Sequence, residues 1–369
     1  MKRILYVTTV SSTINVFLIP HIKMLIDKGN KVDIACNIDQ EISKELLEYG
    51  VRLHIINFSR NPLSVSNKKA FNQIVKLQHI EHYDVINVHT PVASFVTRAA
   101  LRNEKIKMIY TCHGFHFFKG APLINWLLYY SIERVAARWT DILVTINNED
   151  KKRAENFKLR NGGQVKLMHG VGIDPKKYEL NEFDKLEYRK RLGLNGDDFV
   201  ILMLAELNKN KNHIQLIKAI NLLKDKYPKI KVLCAGKGEL KERLENIVKK
   251  LNLNNNIKFL GFRTDVKELI TTSDCITLFS RREGLGKCLL EGMTMGKPLI
   301  ATNTRGPRQL IVNNQNGYLV EIGDYKKAAE YIEDIYLDNV KRMNFSKNSL
   351  SKINEYYLSN VLEEVAEFY

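Results

Sequence analysis

The feature that most constrains this chain is the repeated alternation of short apolar, β-branched runs with longer stretches of helical period. Parallel strands joined by crossover helices write that pattern. The runs Arg3–Thr9, Lys31–Asn37, Arg52–Phe58, Asp84–Thr90, Lys107–Cys112, Asp141–Ile146 and Val165–Met168 predict seven strands, with helical material in each gap. A Gly and Pro cluster at Gly170-Val171-Gly172-Ile173-Asp174-Pro175 then interrupts the pattern. Past an amphipathic stretch at Lys185–Leu192, it resumes with runs at Phe199–Ala205, Lys231–Ala235, Ile257–Leu260, Cys275–Phe279 and Pro298–Ala301. Helices are expected between them at Ile214–Lys226, Leu240–Leu251 and Cys288–Met295.

Two open, mostly parallel α/β sheets in tandem are the economical solution, and a length of 369 residues suits two domains. The tail from Met343 has no strand-like run. Its Leu358, Val361, Leu362, Val365 and Phe368 recur at helical spacing, which predicts one or two helices packing back on a domain. Open parallel sheets bind ligands beyond the carboxyl ends of their strands. The site is therefore expected in the loops just after the strands, with the cleft between two facing domains as its natural place.

The segment Met1–Val7 reads as a first strand and not as a leader, because Thr8, Thr9, Ser11, Ser12, Thr13 and Asn15 break any apolar core. Gly120–Ile132 is too short for a membrane-spanning helix of about 20 residues. The five cysteines have no metal-like spacing and read as reduced core residues of a cytosolic protein. Lys and Arg exceed Asp and Glu, 57 against 41, for a formal charge of +16. Residues 1–180 hold +10 of it. Such a field attracts anions, whether nucleotide phosphates, anionic lipid or nucleic acid. No recognition-helix motif, zinc spacing or RNA-binding aromatic signature supports nucleic acid.

Chemistry concentrates after the Cys275–Phe279 run, in Ser280-Arg281-Arg282-Glu283-Gly284-Leu285-Gly286-Lys287-Cys288-Leu289-Leu290-Glu291-Gly292-Met293. Gly284 and Gly286 let the backbone approach a ligand, and the next helix offers free N–H groups and a positive dipole end, so a phosphate is expected there. Two readings of the acids stand. Glu283 and Glu291 accept hydrogen bonds from sugar or ribose hydroxyls, or they are an N-terminal helix acid and a surface helix residue.

The pair Glu283 and Glu291, set in Glu283-Gly284-Leu285-Gly286, Leu290-Glu291-Gly292-Met293 and Gly296-Lys297-Pro298-Leu299-Ile300-Ala301-Thr302, resembles the signature of the retaining glycosyltransferases of family 4. Arg305-Gly306, Gln309-Leu310-Ile311 and Asn316-Gly317-Tyr318-Leu319-Val320 follow in that family's order, and Met168-His169-Gly170-Val171-Gly172-Ile173-Asp174 is similar to its domain linker. His89-Thr90-Pro91, Tyr110-Thr111-Cys112-His113-Gly114-Phe115-His116-Phe117 and Thr145-Ile146-Asn147-Asn148-Glu149-Asp150 resemble its bacterial capsule and exopolysaccharide branch.

The resemblance implies the GT-B fold, an α/β architecture of two Rossmann-like domains facing across a cleft. It implies an acceptor-binding domain at 1–172, joined by a C-terminal helix at about 353–369, and a nucleotide-sugar-binding domain at 173–352. It implies a UDP-sugar donor and no other cofactor, with Glu291 on the ribose hydroxyls and Glu283 on those of the transferred sugar. The amides of Gly286, Lys287 and Cys288 then hold phosphate oxygens, and His113 sits over the donor sugar. Lys211 matches the family's diphosphate-binding lysine. Glu206 stands where many members have arginine, which leaves Lys209, Arg281 or Arg282 to supply positive charge or to serve as solvated surface residues.

After the first strand, Val10-Ser11-Ser12-Thr13 replaces the usual Gly-Gly loop. The hydroxyls of Ser11 and Ser12 either touch the acceptor or a phosphate, or cap a helix. His116 and Lys119 are further residues for the acceptor side. No Asp-x-Asp or His pair has metal-ligand spacing, so a metal-independent reaction is expected.

Phe115–Trp139 mixes Phe117, Phe118, Leu123, Trp126, Leu127, Tyr129 and Tyr130 with Lys119, Arg134 and Arg138. That mixture suits either an anionic bilayer surface, with rings at headgroup level, or a core-facing helix. The branch implies a lipid-linked saccharide on undecaprenyl diphosphate as acceptor, an N-acetylated hexosamine or deoxyhexosamine as the sugar, and peripheral attachment to the inner face of the cell membrane. It also implies other polysaccharide-synthesis enzymes as partners. The rival enzyme is a UDP-sugar epimerase of similar fold, which binds the same donor and needs no acceptor.

Overall fold

A computed structural model describes every residue except Lys119 and Asn161. The chain forms two compact units, Met1–Gly172 with Leu358–Tyr369, and Ile173–Tyr357.

The first unit is built on seven strands: β1 (Arg3–Val10), β2 (Lys31–Asn37), β3 (Arg52–Ile55), β4 (Val85–His89), β5 (Lys107–Cys112), β6 (Ile142–Thr145) and β7 (Gln164–Leu167). Their order is β3-β2-β1-β4-β5-β6-β7, and each pair is parallel. The central strands are buried on both faces, so they read as unbroken apolar runs: every residue of β4 and five of the six in β5 are buried. Strand order reverses between β1 and β4, which makes the gap beyond their carboxyl ends the switch point of the sheet.

The helix Leu358–Ala366 belongs to this unit, with Val361, Val365 and then Phe368 buried. It is pinned by Glu364, whose carboxylate accepts from the backbone N–H of His169 at 2.9 Å and pairs with its Nδ1 at 2.5 Å. The return to the first unit therefore begins at Leu358 and not near 353: the 3-10 turn Ile353–Tyr356 stays with the second unit, where Ile173 N–H donates to Tyr356 O at 2.9 Å.

The second unit repeats the plan with β8 (Phe199–Leu204), β9 (Ile230–Ala235), β10 (Ile257–Gly261), β11 (Cys275–Leu278), β12 (Leu299–Thr302) and β13 (Gly317–Val320). The order β10-β9-β8-β11-β12-β13, again all parallel, places its switch point between β8 and β11. The edge strand β13 is absent from the sequence-based expectation, because four residues opening on Gly317 give too short a run to register. All five cysteines are buried thiols.

Of the two readings of Phe115–Trp139, the core-facing one holds for most of its rings. Phe115 and Phe117 are fully buried and stacked 4.6 Å apart, and Trp126, Tyr129 and Tyr130 pack against the same core. A π-turn at Trp126–Tyr130, between the helical segments Leu123–Asn125 and Ser131–Ala136, accompanies this packing. The residues left outside are aliphatic: Leu123 is 87% exposed, Leu127 74% and Ile124 63%.

Candidate active site

The second unit assembles the motif residues at its switch point. The loop after β8 and the loop after β11 are tied through Asn210, whose carbonyl accepts from Arg281 N–H at 2.7 Å. Its side-chain Oδ1 accepts from Arg282 N–H at 3.0 Å, and its Nδ2 donates to Arg282 O at 3.0 Å. Lys211 and Glu283 come from these two loops, and the join brings Nζ and Oε2 within 2.7 Å. Burial alone would lower the pKa of Lys211, but the charge and hydrogen bond of Glu283 outweigh it and raise that pKa above the ordinary lysine value. Lys211 is thus a fixed cation. The Glu283 carbonyl also accepts from buried Arg305 Nε at 3.3 Å.

The helix Lys287–Thr294 starts beside this pair, with Gly286 as N-cap. Gly286 has φ +101°, a conformation that a side chain makes costly. The first turn itself carries no acidic residue. Lys287 is exposed and Cys288 buried. Close approach also shapes the neighbouring loop: a Cβ on Gly306 would stand 2.7 Å from the Leu285 backbone.

Glu291 is a buried residue, not a surface one. Its Oε1 accepts from Tyr178 Oη at 2.9 Å, with Lys287 Nζ 3.8 Å away. Burial raises its pKa above the ordinary glutamate value, and Lys287 and the Tyr178 hydrogen bond offset only part of that. Tyr178 escaped the sequence reading, since a tyrosine more than a hundred residues away carries no local signal. Lys209, Arg281 and Arg282 have exposed side chains, and Glu206 Oε2 accepts from Asn208 Nδ2 at 2.9 Å.

In the first unit His113 follows β5 and is partly buried. Its Nε2 lies 3.1 Å from Nδ1 of His89, the last residue of β4. Burial pushes the His113 imidazole down to about 4, with His21 adding to the effect. The ring is therefore neutral near pH 7. Ser11 and Ser12 are both engaged by Asp39: their hydroxyls donate to its two carboxylate oxygens at 2.9 and 2.8 Å. Neither caps the helix Ser11–Phe17, whose N-cap is Val10. His116 stacks on Tyr129 at 4.7 Å, and Lys119 lies outside the described residues.

Two family models match the chain: "Glycosyl transferases group 1" over residues 184–352 and "Glycosyl transferase 4-like" over residues 3–147. EpsD of Bacillus subtilis, named as a glycosyltransferase, is 35% identical over 100% of this chain and 96% of its own. The UDP-Gal:alpha-D-GlcNAc-diphosphoundecaprenol alpha-1,3-galactosyltransferase of Escherichia coli is 27% identical over 88% of this chain and 85% of its own. The capsular polysaccharide biosynthesis glycosyltransferase CapM of Staphylococcus aureus is 26% identical over 99% and 96%. Among solved structures, HepE of Anabaena in complex with UDP and glucose superposes with a TM-score of 0.82 at 20% identity, covering 100% of this chain and 99% of that one. The epimerase alternative finds no support among them. With two glycosyltransferase models covering its two units and a full-length relative at 35% identity, the chain belongs to the retaining glycosyltransferases of family 4, enzymes of GT-B fold.

Proposed function

We propose that this glycosyltransferase moves a sugar from UDP to a saccharide carried on undecaprenyl diphosphate, in the synthesis of a capsule or exopolysaccharide. An N-acetylated hexosamine or deoxyhexosamine is the sugar proposed. The observation that carries the reading is the Lys211–Glu283 pair, held 2.7 Å apart where the β8 and β11 loops meet beside the start of the helix Lys287–Thr294. The names of the relatives support the acceptor and the pathway: one acts on a diphosphoundecaprenol-linked sugar and another builds a capsular polysaccharide.

The proposed donor seats its diphosphate on the amides of Gly286, Lys287 and Cys288 and on the Lys211 ammonium. Glu291 accepts hydrogen bonds from the ribose hydroxyls. Glu283 holds hydroxyls of the sugar, and neutral His113 contacts that sugar. The acceptor hydroxyl oxygen attacks the anomeric carbon on the face the leaving group departs from. The bond from that carbon to the β-phosphate oxygen breaks, UDP takes the electron pair, and the acceptor's proton passes to a phosphate oxygen of the donor.

Negative charge grows on the diphosphate as the bond breaks, so Lys211 and the helix start stabilise the transition state more than the ground state. That electrostatic support is why a metal-independent reaction is proposed. Lys209, Arg281 and Arg282 rim the same loops and stand in for the cation missing at Glu206.

The exposed apolar face at Leu123, Ile124, Leu127 and Leu128, followed by exposed Arg134 and Arg138, is proposed to rest on an anionic bilayer. Apolar residues entering the headgroup boundary with cations alongside match that surface, and the lipid-linked acceptor resides there.

The test is transfer from a panel of UDP-sugars to a short lipid diphosphate saccharide. Glu283→Ala and His113→Ala are expected to lower transfer by about 10²-fold or more while leaving the fold intact, and Glu291→Ala to act chiefly by weakening donor binding. Near wild-type transfer by the first two variants overturns the assignment.

A further inference from the structure

Tyr369, Tyr6, His89 and His113 form a column of near-parallel rings on the first unit, with successive centroids 6.3, 5.4 and 5.3 Å apart and interplanar angles of 13°, 19° and 22°. The tyrosine end is anchored by hydrogen bonds. Tyr369 Oη donates to Tyr6 Oη at 2.7 Å, Asn87 Nδ2 donates to Tyr369 Oη at 2.6 Å, and Thr111 Oγ1 donates to Asn87 Oδ1 at 3.1 Å. Among the described residues, the histidine end has one hydrogen bond, between His89 Nδ1 and His113 Nε2. His89 is buried, and its Nε2 has no partner among the described residues.

That orphan nitrogen decides where the proton sits. If His113 donated from Nε2, His89 would carry its own proton on Nε2 and bury an N–H with nothing to accept it. If His89 donates from Nδ1, its Nε2 is a bare lone pair, and a buried unpaired acceptor is tolerated better than a buried unpaired N–H. The second arrangement is therefore favoured. It leaves His113 with an accepting Nε2 and its one proton on Nδ1, the nitrogen that takes no partner among the described residues on a ring that is partly exposed.

The cluster also discourages charge as a way round this choice. His21 is buried nearby, with its Nε2 at 2.9 Å from Val171 O, and burial lowers the pKa of all three imidazoles.

We infer that His89 is a positioning residue that fixes the tautomer of His113, so that His113 presents a neutral Nδ1–H donor to an oxygen of the bound sugar. This deepens the proposed function and rests on His113 acting in transfer.

The experiment uses the full chain labelled with ¹⁵N-histidine, with the His113 ring signals identified by their loss in His113→Gln. In the wild type, His113 is expected to show a protonated Nδ1 and a bare Nε2. His89→Asn keeps an amide N–H where Nδ1–H stood and should preserve that pattern, with kcat within about threefold of wild type. His89→Phe keeps the ring column without the donor. It should mix the two tautomers and lower kcat by roughly tenfold or more, with donor KM within about twofold.

A His113 protonated at Nε2 in the wild type overturns the inference, and so does an unchanged tautomer in His89→Phe. Equal losses of kcat in the two His89 variants also overturn it. Normal transfer by His113→Ala would instead overturn the catalytic reading, while the wild-type spectrum still judges the tautomer.

Discussion

At the residue scale the site depends on what stands behind each acid. Two readings of Glu291 were open in the sequence, and burial with the Tyr178 hydrogen bond places it inside, with one carboxylate oxygen already fixed. Tyr178→Phe removes a hydrogen bond to a charged group, of order 1.5–3 kcal/mol. UDP affinity is expected to fall about tenfold with kcat at saturating donor little changed, measured by calorimetry and saturation kinetics. Unchanged UDP affinity would separate Tyr178 from the donor site.

The residues legible in the sequence were those in a local motif, such as Glu283, Gly286 and Glu291. Tyr178 and Asn210 act through partners distant in the chain, and no spacing announces them, while Arg305 and His89 stand in motifs whose spacing does not show their partners. Asn210 is the instructive case, since it joins two loops across 72 positions of sequence.

At the element scale, strands buried on both faces were legible because burial makes them continuous apolar runs, and ten of the twelve expected runs differ from the observed strands by a residue or more only at their ends. The segment 123–139 was legible as amphipathic but not in its direction. Its rings found partners in the core, so Phe117 meets Tyr130 edge-on at 5.3 Å, and its aliphatic side chains remain outside. A buried pair, Arg98 Nη2 to Glu133 Oε2 at 2.8 Å, ties the helix Ser131–Ala136 to the helix Pro91–Ala100.

The proposed membrane contact therefore depends on Leu123 and Leu127. Replacing both by Ala should lower binding to anionic vesicles about tenfold or more, given about 0.8 kcal/mol for each buried CH₂. Flotation with anionic and neutral liposomes checks this. Equal binding to the two liposome types, or an unaffected double variant, removes the proposal.

At the scale of the whole molecule, buried His21, His89 and His213 together with half-buried His113 make stability depend on pH. Burial lowers the pKa of His21 and His89, and holds His113 and His213 near about 4. An unfolded chain protonates its histidines near the ordinary value of about 6.5, so between about pH 6.5 and 4 the unfolded state binds more protons than the folded one. The stabilisation is present above that window and is lost as pH falls through it. Lowering the pH to about 5 should cost on the order of 1–2 kcal/mol for each of His113 and His213, to which growing self-repulsion of the +16 chain adds. The urea midpoint is expected to be lower near pH 5 than near pH 7.5, and His213→Met to reduce the difference. An equal or higher midpoint at the lower pH would contradict the buried, neutral state of these rings.

The decisive measurement for the donor site is a structure of the full chain with UDP bound. Ribose hydroxyls are expected on the Glu291 carboxylate and diphosphate oxygens on the amides of Gly286, Lys287 and Cys288, with Lys211 alongside. Uridine held elsewhere, with no ribose hydroxyl on Glu291 and no phosphate at the start of that helix, would contradict this.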